Sequence, residues 1–281
     1  MAKESRVNVR LRDHAKGIRA SGGAAKVGGA PKDRQFVVAL SRGLDILKCF
    51  SPGRQELGSG EIAALVGLPQ PTVWRLCHTL MAQGYLVMSP ASKKLRLGIP
   101  VLGLGYAVLA SQPLAVVAEP EMRVIADRFQ GAVSLAAADA TSMVILQRCH
   151  GSSVRLGDIN VGARIPMAST ATGWAYLAGL PAEQRASVIG TLRSGGGGKA
   201  WAGVERQFGQ ALALFEREGF IVLKGMLHEP INAVAVPVRT RGAAPGYALN
   251  SVGLSSIYTD DMLRQVGKAL QKLAASLQSG T

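Results

Sequence analysis

From Gln35 onward apolar residues recur at helical spacing. Val38, Leu40, Leu44, Ile46, Leu47 and Phe50 mark a first helix, with Ser41 as its N-cap and Pro52-Gly53 as its stop. A second helix fits Ser59 to Val66, with Ile62, Ala63 and Leu65 inward and Ser59 as cap. Gly67-Leu68-Pro69 then reads as a tight turn. A third helix spans about Pro71 to Gln83, with Val73, Leu76, Cys77 and Leu80 on its apolar face. Pro71 suits a first helical turn, where its missing N–H costs nothing, and Gly84 ends the helix. Tyr85–Met88, a turn at Ser89–Ser92, and Lys93–Leu97 predict a β-hairpin with a basic return strand.

Residues 1–34 lack this periodicity and read as a disordered basic arm. The pattern divides the rest into a domain at 35–98, a linker helix at 99–113 and a second domain at 114–281. Pro100 to Ser111 is apolar on most sides, and Ala115 to Phe129 is a further helix. Strands fit Ala132–Ala138, Met143–Cys149, Ser153–Gly157, Phe220–Leu223, Ala233–Val238 and Tyr247–Val252. Helices fit Thr170–Ala178, Ala182–Leu192, Trp201–Glu218 and Tyr258–Leu277. An antiparallel sheet flanked by helices is an α+β domain.

Charge adds a partner to this plan. The chain of 281 residues carries 32 Lys and Arg against 18 Asp and Glu, a net charge of +14. Of that excess, +6 lies in residues 1–34 and +4 in residues 35–100. A polyanion, if bound, meets the N-terminal third. Three short helices followed by a hairpin form the winged helix-turn-helix plan, in which the third helix enters the major groove of double-stranded DNA. That helix opens with Gln70 and Pro71 and offers Thr72, Trp74, Arg75, His78 and Thr79 outward. Such side chains hydrogen-bond base edges or phosphates. Trp74 either touches DNA or packs against the first helix. Lys93, Lys94 and Arg96 on the hairpin suit phosphates. A solvated hairpin, or a module that docks protein instead of DNA, is the alternative reading of the same pattern.

Other classes are poorly supported. Aromatic residues at 5% are too few for stacking platforms on single-stranded nucleic acid. The window Ile99 to Ala118 is broken by Gly and Pro, which argues against a membrane span, and the first thirty residues lack the apolar segment of a secretory signal. Cys49, Cys77 and Cys149 are scattered, which fits a reducing, cytoplasmic setting and no disulfide framework. His14, His78, His150 and His228 form no metal-binding pair, and the Gly-rich run ending at Lys199 lacks the spacing of a phosphate loop. The residues imply no metal, no cofactor and no enzyme. An enzyme of small-molecule metabolism with an appended nucleic-acid domain would need clustered titratable groups in the second domain.

Several blocks resemble one family. The runs ALSRGLDIL at Ala39–Leu47 and EIAALVGLPQPTVWRL at Glu61–Leu76, then Gly84–Leu86 and Leu95–Gly98, are similar to the N-terminal domain of IclR-type bacterial transcription regulators. Gly162–Ala178, Gly219-Phe220 and Ala233–Val238 resemble that family's effector-domain signature. The resemblance covers about 36–278. It implies a GAF/PAS-like sensor domain, a homodimer or homotetramer, and a small organic effector that modulates operator affinity. It also places ligand contacts near Leu223, Lys224, Ala233 and Asn250, where many members carry acidic residues, Cys and Ser. Those replacements point to an aromatic or medium-sized carboxylic acid, not a two- or three-carbon one. Leu146, Ile165, Met167, Leu223 and Ala233 are then the expected pocket wall, with Ser169, Thr170, His228, Asn232, Asn250 and Ser251 offering hydrogen bonds. Ala168-Ser169-Thr170, at a predicted helix start, is expected to present backbone N–H groups to the carboxylate.

Overall fold

The computed structural model describes residues 35–152, 156, 159–195, 198–225, 230–239 and 246–279. The basic arm, His228 and most of the strand expected at 153–157 lie outside the described residues. The chain divides into two compact units between Val108 and Leu109.

The N-terminal unit holds α1 (Val38–Leu47), α2 (Ser59–Val66), α3 (Gln70–Ala82) and the antiparallel hairpin β1 (Leu86–Met88) and β2 (Leu95–Leu97). Ile46, Phe50, Leu57, Ile62, Val73, Cys77, Leu86 and Leu95 close one core. Each fully buried Ile, Val or Leu contributes roughly 1.5–3 kcal/mol. The hairpin is tied to that core by Leu57, whose N–H and C=O both bond Leu95 at 2.9 Å.

Three local expectations change. Ser41 is not a cap: α1 begins at Val38, and Ser41 N–H already bonds Val37 O at 3.2 Å. Only Ile46 of α1 is buried, so Val38, Leu40 and Leu44 face outward. In α2 the cap is Gly58, whose N–H donates to Glu61 Oε2 at 2.6 Å, and Leu65 is exposed while Val66 packs inward. Gly67 does form the turn, with φ of +67°, a conformation that costs glycine nothing. The next helix, α4 (Pro100–Ala110), buries none of its residues. Leu102 is 70% exposed and Tyr106 71%.

The C-terminal unit is built on a six-stranded antiparallel sheet in the order β5-β4-β3-β8-β7-β6. These strands are β3 (Ala132–Asp139), β4 (Ser142–His150), β5 (Arg164–Pro166), β6 (Ile221–Lys224), β7 (Ile231–Val238) and β8 (Tyr247–Leu254). α5 (Pro113–Phe129) and α9 (Asp260–Ser279) cover one face, over Val133, Leu135, Val234, Val236 and Leu249. α6 (Ala171–Gly179) and α8 (Gly198–Glu218) cover the other, over Ala136, Ile145, Ala235 and Ala248. α7 (Ala182–Gly195) packs at their edge. Trp174 of α6 meets Phe208 of α8 edge-to-face at 5.7 Å, an arrangement worth about 0.5–1.5 kcal/mol beyond its buried area.

Strand β5 escapes the sequence reading. It has three residues and ends in Pro166, which cannot donate to a ladder and is tolerated at this sheet edge. The register of β3 with β4 also slips once: Leu135 pairs Gln147, but Ala136 pairs Ile145. Leu146 is therefore the extra residue of a β-bulge.

Candidate functional site

The outward face of α3 follows from what the helix buries. Val73 and Cys77 are fully enclosed, one turn apart. That pins the opposite side outward, so Gln70, Pro71, Trp74, Arg75, His78 and Thr79 are exposed and Thr72 is half-buried. Trp74, at 43% exposure, is not part of the core. Gln70 is engaged, because its amide donates to Ser59 Oγ at 3.0 Å and so braces α3 against α2. Arg75 meets no carboxylate among the described residues.

The hairpin is less basic than its sequence. Lys93 and Lys94 precede β2 instead of belonging to it. Lys93 is exposed at the tip with φ of +58°. Lys94 turns back, and its ammonium lies 3.0 Å from Glu61 Oε2. The Gly58 N–H, then the Lys94 ammonium, hold the Glu61 carboxyl below its ordinary range. Arg96 remains exposed.

In the C-terminal unit the expected pocket residues separate onto two faces. Ile165, Met167, Ala168, Leu223 and Ala233 lie together on the α6/α8 side. Leu146 does not: the bulge turns it toward α5, into the core on that side that also holds Val133 and Cys149. Asn232 and Ser251 are also corrected. Asn232 Nδ2 donates to Tyr258 O at 3.0 Å, and Ser251 Oγ shares a 2.8 Å hydrogen bond with the Tyr258 hydroxyl, both under α9. The helix start at 168–170 is already occupied in part. Thr170 Oγ1 accepts from Gly173 N–H at 3.1 Å and donates to Pro166 O at 2.7 Å, while Ala168 O accepts from Trp174 Nε1 at 2.8 Å. Ser169 is half-buried in the same turn.

Asn250 stays on the α6 side, where its Nδ2 donates to Thr172 Oγ1 at 2.7 Å and its Oδ1 is buried without a partner. It pairs across the sheet with Ser134, and Ser134 pairs on its other side with Arg148. Arg148 Nη1 donates to Ser134 Oγ at 2.9 Å, Nη2 to Leu156 O at 2.9 Å, and Nε to His150 Nε2 at 3.3 Å. Burial pushes the Arg148 guanidinium down to about 10, so it remains charged at neutral pH. Arg148, Ser134 and Thr172 were not singled out from the sequence. Arg148 stands between Gln147 and Cys149, and only the register shift at Leu146 turns it to this side, which no local sequence signal records.

Comparison with known proteins agrees with both units. Residues 39–90 match the model of the IclR helix-turn-helix domain, and residues 106–279 that of the bacterial transcriptional regulator IclR C-terminal domain. The HTH-type transcriptional regulator TsaQ1/TsaQ2 of Comamonas testosteroni is 34% identical over 87% of this chain and 88% of its own. The Pca regulon regulatory protein of Pseudomonas putida is 26% identical over 78% of this chain and 75% of its own. The crystal structure of an IclR family transcriptional regulator from Brucella abortus superposes with a TM-score of 0.81, at 35% identity, over 90% of this chain and 96% of that one. An IclR homologue from Microbacterium hydrocarbonoxydans, complexed with 4-hydroxybenzoate, shares the fold with a TM-score of 0.68 at 21% identity, over 86% and 98% of the two chains.

A helix-turn-helix joined to this α+β unit defines a DNA-binding transcription regulator, not an enzyme. The chain belongs to the IclR family.

Proposed function

We propose that this regulator is a cytoplasmic homodimer or homotetramer whose affinity for a double-stranded operator is set by a small organic carboxylic acid, aromatic or medium-sized. The observation that carries the DNA half is α3: Val73 and Cys77 lock one side into the core and leave Trp74, Arg75 and His78 on the other. Arg75, Lys93 and Arg96 serve as phosphate or base contacts, while Lys94 serves to hold the hairpin against α2. Second copies associate through the outward apolar residues of α1 and α4. Dimeric regulators of this plan match half-sites about one helical turn, or a multiple, apart. No single described helix is long and apolar enough to cross a membrane.

The effector half rests on the α6/α8 face of the sheet, where Ala233, Leu223 and Ala168 are partly buried apolar neighbours of a small polar cluster that includes Asn250 and Thr172. A mostly apolar surface with a few polar groups is the usual composition of a small-molecule site. That a protein of the same fold is complexed with 4-hydroxybenzoate supports a ligand of this size. The effector acts by linkage: it shifts operator affinity only by its differential affinity for the two conformations, typically about 1–3 kcal/mol.

Fluorescence anisotropy on a duplex library, with and without organic acids, tests this reading. Ala233→Phe fills the site, so it abolishes the ligand response while duplex binding persists. Failure of the protein to bind duplex DNA at low salt better than a neutral control overturns it.

A further inference from the structure

The first turns of α2 and α3 are joined by one side-chain bond. Gln70 Nε2 donates to Ser59 Oγ at 3.0 Å. The same nitrogen lies over Gly60, where an added Cβ would stand 4.0 Å from it. Ser59 is half-buried and Gln70 is exposed. Helix capping does not need this bond, because Glu61 already caps α2 on the Gly58 N–H at 2.6 Å. Packing does not need it either: Ile62, Val73 and Cys77 hold α2 and α3 together in one core. What the bond adds is the aim of one amide.

Gln70 is the first residue of α3, and it stands between Pro69 and Pro71. Each proline ring fixes its own φ at about −65°, so the backbone that carries Gln70 has little freedom left. The side chain is then the loose part, and Ser59 restrains it. The first residues of a recognition helix are the ones that meet base edges in the major groove. An amide offers two N–H donors and an oxygen with two lone pairs, and the Ser59 bond uses one of these. The Ser59 hydroxyl can donate as well as accept. Whichever way the amide is turned, a carbonyl and one N–H therefore remain side by side.

We infer that Gln70, aimed by Ser59, reads an adenine in each half-site of the operator. Adenine presents an acceptor beside a donor in the major groove, at N7 and N6. Guanine offers two acceptors, cytosine a donor, and thymine an acceptor with a methyl group. The amide meets the adenine edge with two bonds and the other edges with one at most. Ser59 is a positioning residue: it holds the amide before DNA arrives, so less side-chain freedom is lost on binding. No charge is neutralised in this contact, which separates it from the phosphate contacts of the basic side chains. The inference rests on reading the N-terminal unit as the operator-binding domain, and it names a base and the pair of residues that selects it.

The test uses the full-length protein in rounds of selection from a random duplex library, followed by anisotropy on the enriched duplex. Wild type enriches a half-site in which one adenine depends on Gln70. Replacing that A·T pair by G·C weakens wild-type binding roughly 5- to 150-fold, the worth of one two-bond base contact. The same replacement weakens Gln70→Ala far less. The slope of log K against log salt is equal for the two proteins, because no phosphate contact is lost. Ser59→Ala loses part of the discrimination at that position and at no other, and Ser59→Thr, which keeps a hydroxyl, restores it. The inference is overturned if Gln70→Ala selects the same half-site as wild type, or if the base it ceases to select is not adenine. A loss spread evenly over all positions in Ser59→Ala, or a Ser59→Thr that restores nothing, overturns the positioning role of Ser59. The two readings fail separately. A wild type that enriches no sequence overturns the operator-binding domain and this inference with it, whereas an enriched half-site indifferent to Gln70 overturns this inference alone.

Discussion

The Ser251 hydroxyl stands 2.8 Å from the phenolic oxygen of Tyr258, with both groups buried beneath α9. The same tyrosine accepts from Asn232 on its backbone carbonyl. Tyr258→Phe therefore leaves Ser251 without its partner and lowers stability by about 1–3 kcal/mol in denaturant titrations. Burial also raises the Tyr258 phenol above its ordinary value, and the bond to Ser251 only partly opposes this. The folded state then holds this proton more tightly than the unfolded chain does. The associated stability is complete below pH of about 10 and declines as pH rises further. Melting curves in that range should fall less steeply for Tyr258→Phe than for wild type.

Packing around the same ring gives a second prediction. A Cβ built on Gly253 falls 2.1 Å from the Tyr258 ring, and one on Gly131 falls 1.9 Å from its hydroxyl. Gly253→Ala overpacks the site and costs about 1–3 kcal/mol. Combined with Tyr258→Leu the two losses are less than additive, because the smaller side chain makes room. Additive losses in a double-mutant cycle contradict this packing account.

Duplex binding should distinguish the two hairpin lysines. Lys93→Ala and Arg75→Ala each lower the slope of log K against log salt by about 0.9 if each side chain neutralises one phosphate. Lys94→Ala lowers it less, since Glu61 already compensates that ammonium. Anisotropy titrations across salt concentrations give the three slopes, and equal slopes for Lys93→Ala and Lys94→Ala reject the division of labour.

Assembly is checked on α4. Leu102 and Tyr106 lie one turn apart and are both largely exposed. Replacing both with Asp weakens self-association by about two orders of magnitude or more, given the apolar area each would otherwise bury. Sedimentation velocity reads this directly. An unchanged mass across micromolar concentrations places the contact between copies elsewhere.

The helices were the most legible part of the chain, because a helix announces itself within a dozen residues. α2 and α3 appear where the spacing of Ile62, Val73 and Cys77 puts them. The first helix is equally legible, but which way its stripe faces is not: Val38, Leu40 and Leu44 are apolar and yet face outward, and periodicity alone does not say what covers a stripe. The α6 face of the sheet was harder. Alternation places Leu146 and Arg148 on one side of β4, and only the pairing with β3 shows that the bulge sends them to opposite sides. Asn232 and Ser251 were misassigned for a related reason. Each is a polar residue in a strand, and the partner that satisfies both is Tyr258, beyond the end of β8. The ion pair between Glu61 and Lys94 joins residues far apart in the chain, which no local pattern records.

The bulge at Leu146 has a consequence for how much length variation this strand can absorb. Ile145 and Arg148 point to the same side of the sheet although an odd number of positions separates them. Removing Leu146 would restore strict alternation, with Ile145 still opposite Ala136, Gln147 still opposite Leu135, and Arg148 still beside Ser134. The strand carries one residue of slack at this point. A deletion that would turn any regular strand inside out would here cost one apolar side chain and leave the charged row facing α6.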